Sequence, residues 1–333
     1  MIYLKGFLNI GTANAYNSPL LYKTKNKIKN VLWKIFLAVI IATMSYLFLF
    51  PLYYTVIISF QKLELASDPT SIYVPKAFSL EAYKIAFKQL DYKNSALLTA
   101  EITLFSTVFS LISCSVTGYA LARFDFRGKK LVFLLVLLMI IIPPQQIIVP
   151  QYMLYKDFTF GGLLSLFGFK VNLLSSPLVF ILPAIFSVGL KAGMFIFVFR
   201  QFFSGLPKEL EEAAKIDGCS AFQTFIKVMI PSAKPAFVVV TMLCIIWHWN
   251  DYYTSSMMFI DQVKPLMINL EALRLNIGEG GATLVEGLGK NSSYLQRMFL
   301  QAGVVLCVFP PFIVYAVMQK YFVESIERTG IVG

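Results

Sequence analysis

The sequence predicts an all-α polytopic membrane protein, and three observations carry that prediction. Hydrophobic residues fill 57% of the 333 positions and charged residues only 14%, where a soluble domain carries about 25% charged residues. Six apolar stretches, 33–60, 95–122, 131–153, 174–200, 235–260 and 299–319, each reach the roughly 20 residues that a helix needs to cross the hydrocarbon core. None of the six alternates apolar and polar positions as the strands of a membrane barrel do.

The placement of Lys and Arg predicts orientation. Lys5, Lys23, Lys25, Lys27, Lys29 and Lys34 crowd the N-terminal segment, and Arg123, Arg127, Lys129 and Lys130 the short turn after the second stretch. The 200–234 connection adds Arg200, Lys208, Lys215, Lys227 and Lys234, and the tail has Lys320 and Arg328. Alternate connections are longer and balanced: Lys62, Lys76, Lys84, Lys88 and Lys93 face Glu64, Asp68, Glu81 and Asp91. Both termini and the 204–232 loop are therefore expected on the cytoplasmic side. The net charge of +11 then reflects the positive-inside bias and calls for no nucleic acid.

Taken in order, residues 1–32 form a basic segment that does not read as a cleaved signal peptide, because its apolar run is short and interrupted. Pro51 predicts a kink in the first span, which neighbouring helices can tolerate in a membrane. In the connection after it, Ser79 is placed to cap a short surface helix. The third stretch is interrupted by Pro143, Pro144 and Pro150, and Gln145 and Gln146 put amides at membrane depth. Irregular polar backbone there must line a wet cavity or be buried in protein, so Gln145 and Gln146 are candidates for a pathway or for packing against a partner. In the fourth stretch Lys191 sits between Gly189 and Gly193. Near an interface it would snorkel; deeper, it would need a polar partner.

The 206–231 segment contrasts with its surroundings, since it is dense in charge between two apolar runs. Pro207 suits the first helical position, Glu209, Glu211 and Glu212 favour the positive end of the helix dipole, and Lys215 the negative end. Gly218 is placed as a left-handed stop and Ser220 as the cap of a second helix. That helix would gather Phe222, Phe225, Ile226 and Met229 on one face and end at Pro231. So charged a hairpin cannot cross a bilayer, and it must offer one face to a partner.

The fifth stretch carries Trp247, His248, Trp249, Asn250, Asp251, Tyr252 and Tyr253. An interfacial aromatic belt, polar contacts between helices and a substrate surface all fit these residues. Trp247 and Asp251, four positions apart, would share one helical face, with Asn250 beside them. Stacking on C–H faces and hydrogen bonding to hydroxyls suits a sugar. His248 is the only histidine in the chain, and no Cys pair has metal-ligand spacing, so neither a metal nor a cofactor is expected. The run Gly287-Leu-Gly-Lys290 is no phosphate loop, because Leu284 and Asn291 stand where Gly and Ser or Thr are required. No ATP-hydrolysing activity is expected.

Glu212-Ala213-Ala214, Gly218, and Val228-x-Ile230-Pro231 resemble the E-A-A-x3-G-x9-I-x-L-P loop of ABC importer permeases, with Val for Ile and Ile for Leu. The longer run from Pro207 to Gly218 is similar to the carbohydrate, maltose-type branch. So are the turn from Gly118 to Gly128 and the Trp-x-x-Asn-Asp element at 247–251. The tail from Gln319 to Gly330 is also similar, with Ser325 where Gly is usual. The resemblance implies a six-helix type I permease domain over 33–321, a cytoplasmic tail over 322–333, and a coupling helix in the 204–232 loop. Glu212, Ala213, Ala214, Asp217, Gly218 and Pro231 would meet a separate ATPase. It further implies two ATPase subunits, a homologous second permease, an extracytoplasmic solute-binding protein, a sugar substrate and a bacterial inner membrane. A permease for a phosphodiester, peptide or polyamine shares the loop; a secondary transporter would run on an ion gradient, and neither an internal repeat nor a convincing array of membrane carboxylates is visible.

Overall fold

A computed structural model describes residues 19–63, 77–162, 166, 168–261, 263–280 and 293–330, with side chains at 19–28, 276–280, 293–294 and 322–330 left aside. Expectations for the 1–18 segment, the Gly-rich 281–292 stretch and the side chains of the tail fall outside these residues. Contacts divide the chain into residues 1–54 and 55–333. The helix α1 (Pro19–Ser59) runs unbroken through Pro51, and its side chains from Val31 to Leu49 are exposed apolar groups almost without exception.

The second unit is built around α3 (Tyr92–Arg123), which follows the short α2 (Glu81–Gln89). Leu80 rather than Ser79 stands at the cap of α2, and the Ser79 hydroxyl one position earlier accepts the Glu81 N–H at 3.2 Å. After α3 come α4 (Lys129–Ile141), α5 (Pro144–Lys156), α6 (Leu178–Ile185) and α7 (Ala192–Gly205). A charged hairpin follows: α8 (Glu209–Ile216), α9 (Ala221–Thr224), a π turn at Phe225–Met229 and α10 (Ile230–Ser232). The chain closes with α11 (Lys234–Trp249), α12 (Tyr253–Met258), α13 (Leu266–Gly280) and α14 (Ser293–Gly330). Among the described residues the β structure is limited to isolated bridges, Gln61 with Phe78 and Phe158 with Val171.

α3 packs against α6, α7 and α11, and its buried face is mostly small and hydroxylated: Ser95, Thr99, Thr103, Ser106, Thr107, Ser110 and Ser115. Small residues let helices approach closely where lipid removes the hydrophobic drive for association. Gly118 marks the tightest crossing, because a Cβ there would lie 2.6 Å from the Cβ of Phe199. Phe195, Phe199 and Phe203 of α7, Met229, and Val240 and Cys244 of α11 fill the adjoining core.

Single long helices replace only part of the six expected stretches. Lys29–Ser59, Tyr92–Arg123 and Leu295–Tyr321 are long and apolar enough to cross a membrane. The third stretch is instead a bent pair, α4 and α5, turned by 101°, because Pro143 and Pro144 supply no N–H to continue the helix. The fourth is α6 and α7 separated by a break in which Ser187 and Lys191 both take φ 59°. The fifth ends at Trp249 rather than near 260, and it enters from the hairpin through a 78° bend. By length and composition the described residues offer three spans, or five if each bent pair counts as one.

Candidate functional site

The hairpin is held by local capping, much as its residues dictate. α8 has Glu209, Glu211 and Glu212 in its first turn and Lys215 in its last. Pro207, expected at the first helical position, precedes the Lys208 cap, and the helix opens at Glu209. At the other end Gly218 takes φ 81°. Its N–H reaches the Lys215 carbonyl at 3.0 Å, and the Cys219 N–H reaches that of Ala214 at 2.9 Å. These two bonds make a Schellman stop. Ser220 and Gln223 form a reciprocal capping box at 3.3 and 3.0 Å, so two free donors at the start of α9 are satisfied.

The hairpin has an inner and an outer side. Ala214, Phe225 and Met229 are buried, while Glu212, Ala213, Asp217, Gly218 and Pro231 are exposed. The expected apolar face is divided. Phe225 and Met229 face inward, whereas Phe222 and Ile226, the other pair four apart, stay 70% and 45% exposed. Ile216 is 86% exposed. An outer side combining Glu212 with exposed Ile216, Phe222 and Ile226 has the composition of a protein-docking surface.

Sequence reasoning missed what fixes the inner side. Arg123, at the end of α3, pairs with Glu211 at 3.2 Å, and the two side chains are only 6% and 15% exposed. The same guanidinium donates to the Leu206 carbonyl. One turn back on α3, Tyr119 lies against Phe225 and Phe203, with ring centroids 4.9 and 5.4 Å apart. Arg123 signals only membrane orientation in the sequence, and its partner lies far along the chain.

Around Trp247 the structure departs further from expectation. α11 ends at Trp249, so Trp247 and Asp251 do not share one helical face. The Asp251 carboxylate instead accepts the Ser255 N–H at 2.8 Å, the Ser255 hydroxyl at 2.9 Å and the Thr254 N–H at 3.4 Å. It holds the start of α12, where unpaired helical donors attract a carboxylate. Asn250 turns back to the Ile246 carbonyl at 2.9 Å. His248 and Trp249 are buried, with Nδ1 of His248 2.9 Å from the Cys244 carbonyl and the Trp249 indole donating to the Cys307 carbonyl. Trp247 is 41% exposed, and the Lys191 ammonium stands 4.4 Å from its ring centroid. Gln145 and Gln146 lie exposed in the first turn of α5. Among the described residues no hydrogen bond joins them to Trp247, Asn250 or Asp251.

The chain is similar to known proteins over most of its length. The chain is 29% identical to an arabinooligosaccharides transport system permease protein of Halalkalibacterium halodurans, over 88% of this chain and 94% of the relative. It is 26% identical to a polygalacturonan/rhamnogalacturonan transport system permease protein of Bacillus subtilis, over 83% and 89% respectively. Its fold matches, with a TM-score of 0.69 and 25% identity, a chain of a bacterial ABC transporter involved in the import of the acidic polysaccharide alginate. That match covers 88% of this chain and 98% of the other. Residues 114–328, running from the middle of α3 through the hairpin to α14, match the model of one family throughout, and the chain belongs to it: the binding-protein-dependent transport system inner membrane components.

Proposed function

We propose that this chain is a permease subunit of an ATP-driven importer for sugars or oligosaccharides, moving its substrate by alternating access. The observation that carries the reading is the two-sided hairpin. Its outer side presents Glu212, Ala213, Asp217 and Gly218, and its inner side is tied to α3 through Arg123 and Glu211. A surface that docks a partner outside and grips a span inside can transmit a partner's motion to the membrane domain. In this reading the 204–232 loop is the coupling helix, with Ala214 buried beneath Glu212 and Pro231 at the bend into α11. Two ATPase subunits hydrolyse ATP, a homologous permease completes the pathway, and an extracytoplasmic binding protein delivers the sugar.

The same reading takes the bent and broken helices as spans, giving six across 33–321 with both termini and the tail 322–333 in the cytoplasm. Trp247, Asn250, Gln145 and Gln146 line the pathway, and Asp251 contributes by holding the turn beside them. The carbohydrate relatives support the substrate class. Reconstitution of the full transporter in proteoliposomes tests it. Uptake of labelled arabino- or malto-oligosaccharides should require ATP and the binding protein and should survive a proton ionophore. Uptake that follows the proton gradient without ATP would replace this reading with a secondary transporter, and ATP-driven uptake confined to a peptide or polyamine would replace the substrate class.

A further inference from the structure

Lys191 stands at the break before α7, at the cap of that helix. Among the described residues no Asp or Glu forms an ion pair with it, and the neighbour that meets its ammonium is the Trp247 indole, 4.4 Å away. The pair is only partly buried: Trp247 is 41% exposed and Lys191 is intermediate.

The position of this pair follows from helix geometry. α7 (Ala192–Gly205) leads into the hairpin and α11 (Lys234–Trp249) leads out of it. With a rise of about 1.5 Å per residue, Lys191 and Trp247 each stand roughly 20 Å from the hairpin. In the proposed reading, where the hairpin meets the cytoplasmic face of a hydrocarbon core about 30 Å thick, that level lies beyond the midplane yet still inside. An ammonium at such depth needs water or a polar ligand, since an indole face alone offsets little of its lost hydration.

Lys191 takes φ 59°, a conformation strained for any residue with a Cβ. The break around it is satisfied without the ammonium: the Ser113 hydroxyl donates to the Ala184 carbonyl at 2.6 Å, and Thr117 and Ser187 share a hydrogen bond of 3.2 Å. The side chain is thus free of any capping duty.

We propose that Lys191 and Trp247 form a subsite for a carboxylate-bearing sugar, a uronic acid unit of an oligosaccharide in transit. The inference rests on the proposed sugar-permease function and deepens it. A pyranose ring presents a C–H face that stacks on an indole. A carboxylate on that ring supplies the counter-charge that Lys191 lacks among the described residues, as a charge-assisted hydrogen bond. A neutral sugar satisfies only the first of these requirements.

The test uses the full transporter in proteoliposomes, nucleotide-free and vanadate-trapped, treated with a water-soluble amine acylating reagent. Site-resolved mass spectrometry reads the rate at Lys191. Trigalacturonate should slow acylation at least about fivefold in one of the two states, and maltotriose should not. The ratio of trigalacturonate to maltotriose uptake should also fall about tenfold in Lys191→Met and be kept in Lys191→Arg. An unreactive Lys191 in both states, or equal protection by the two sugars, or none, overturns the subsite. ATP-driven uptake of either sugar in the same vesicles reports separately on the permease reading, so the two ideas fail by different measurements.

Discussion

Arg123 of α3 and Glu211 of α8 meet at 3.2 Å in a setting where both side chains are almost wholly buried. The pair joins the end of the central span to the inner side of the hairpin, and the same arginine also holds the Leu206 carbonyl that leads into that hairpin. Removing one partner of a buried pair leaves an uncompensated charge, which costs about 3–5 kcal/mol, whereas replacing both with apolar groups is often neutral. We expect Glu211→Ala and Arg123→Met each to lower the thermal stability of the detergent-solubilised protein clearly. The double variant should recover a large part of the loss. A double-mutant cycle of thermal unfolding gives the coupling energy; a value near zero would mean that the contact is incidental.

Two glycines should fail for different reasons. At Gly118 a Cβ would stand 2.6 Å from Phe199 Cβ and 3.0 Å from the Arg200 nitrogen. Gly118→Ala should therefore force α3 and α7 apart and destabilise the protein by about 1–3 kcal/mol. Around Gly218 nothing lies within 4 Å of an added Cβ, but φ is 81°. There the penalty is conformational, about 1–2 kcal/mol for an ordinary residue and least for Asn. We expect Gly218→Val to insert normally but to separate ATP hydrolysis from uptake, with Gly218→Asn in between. Equal behaviour of the Val and Asn variants would remove positive φ as the explanation.

Glu211 and Glu212 are adjacent in sequence and opposite in setting. Glu211 is turned into the protein while Glu212 is exposed. A cysteine at Glu212 should cross-link to the ATPase in membranes of the assembled transporter, and one at Glu211 should not. Cross-linking from both positions, or from neither across several reagent lengths, would argue against this outer face as the docking surface.

How much of this could be read beforehand depends on distance along the chain. Gly218 and Ser220 act through bonds to residues within five positions, so their roles are written locally. Pro143 and Pro144 announce the bend between α4 and α5 in the same way. The break before α7 was harder, because Ser187 and Lys191 hold positive φ without being glycine and the α3 hydroxyls at the break, Ser113 on the Ala184 carbonyl and Thr117 on Ser187, come from far along the chain. The end of α11 was missed because Asp251 had two uses, helical face or cap, and its bonds to Thr254 and Ser255 decided for the cap. Pairs such as Arg123 with Glu211 and Lys191 with Trp247 exist only once distant helices are packed. No periodicity signals them.

The cap at Asp251 yields the last prediction, since it separates positioning from contact with substrate. The carboxylate accepts three hydrogen bonds from Thr254 and Ser255. Asp251→Asn keeps one carbonyl oxygen for the backbone donors, whereas Asp251→Ala keeps none, and loss of such a cap typically costs about 1 kcal/mol. A role confined to holding α12 predicts that Asp251→Asn transports nearly as well as the parent. Asp251→Ala should then lose thermal stability and transport together. Trp247→Ala should behave in the opposite way. Its half-exposed ring contributes little to the core, so stability should hold while the apparent KM for oligosaccharide rises. Thermal unfolding and uptake measured on all three variants resolve the two roles. If Asp251→Asn abolishes uptake at unchanged stability, the carboxylate's charge itself acts on the substrate, and the cap is the lesser part of its function.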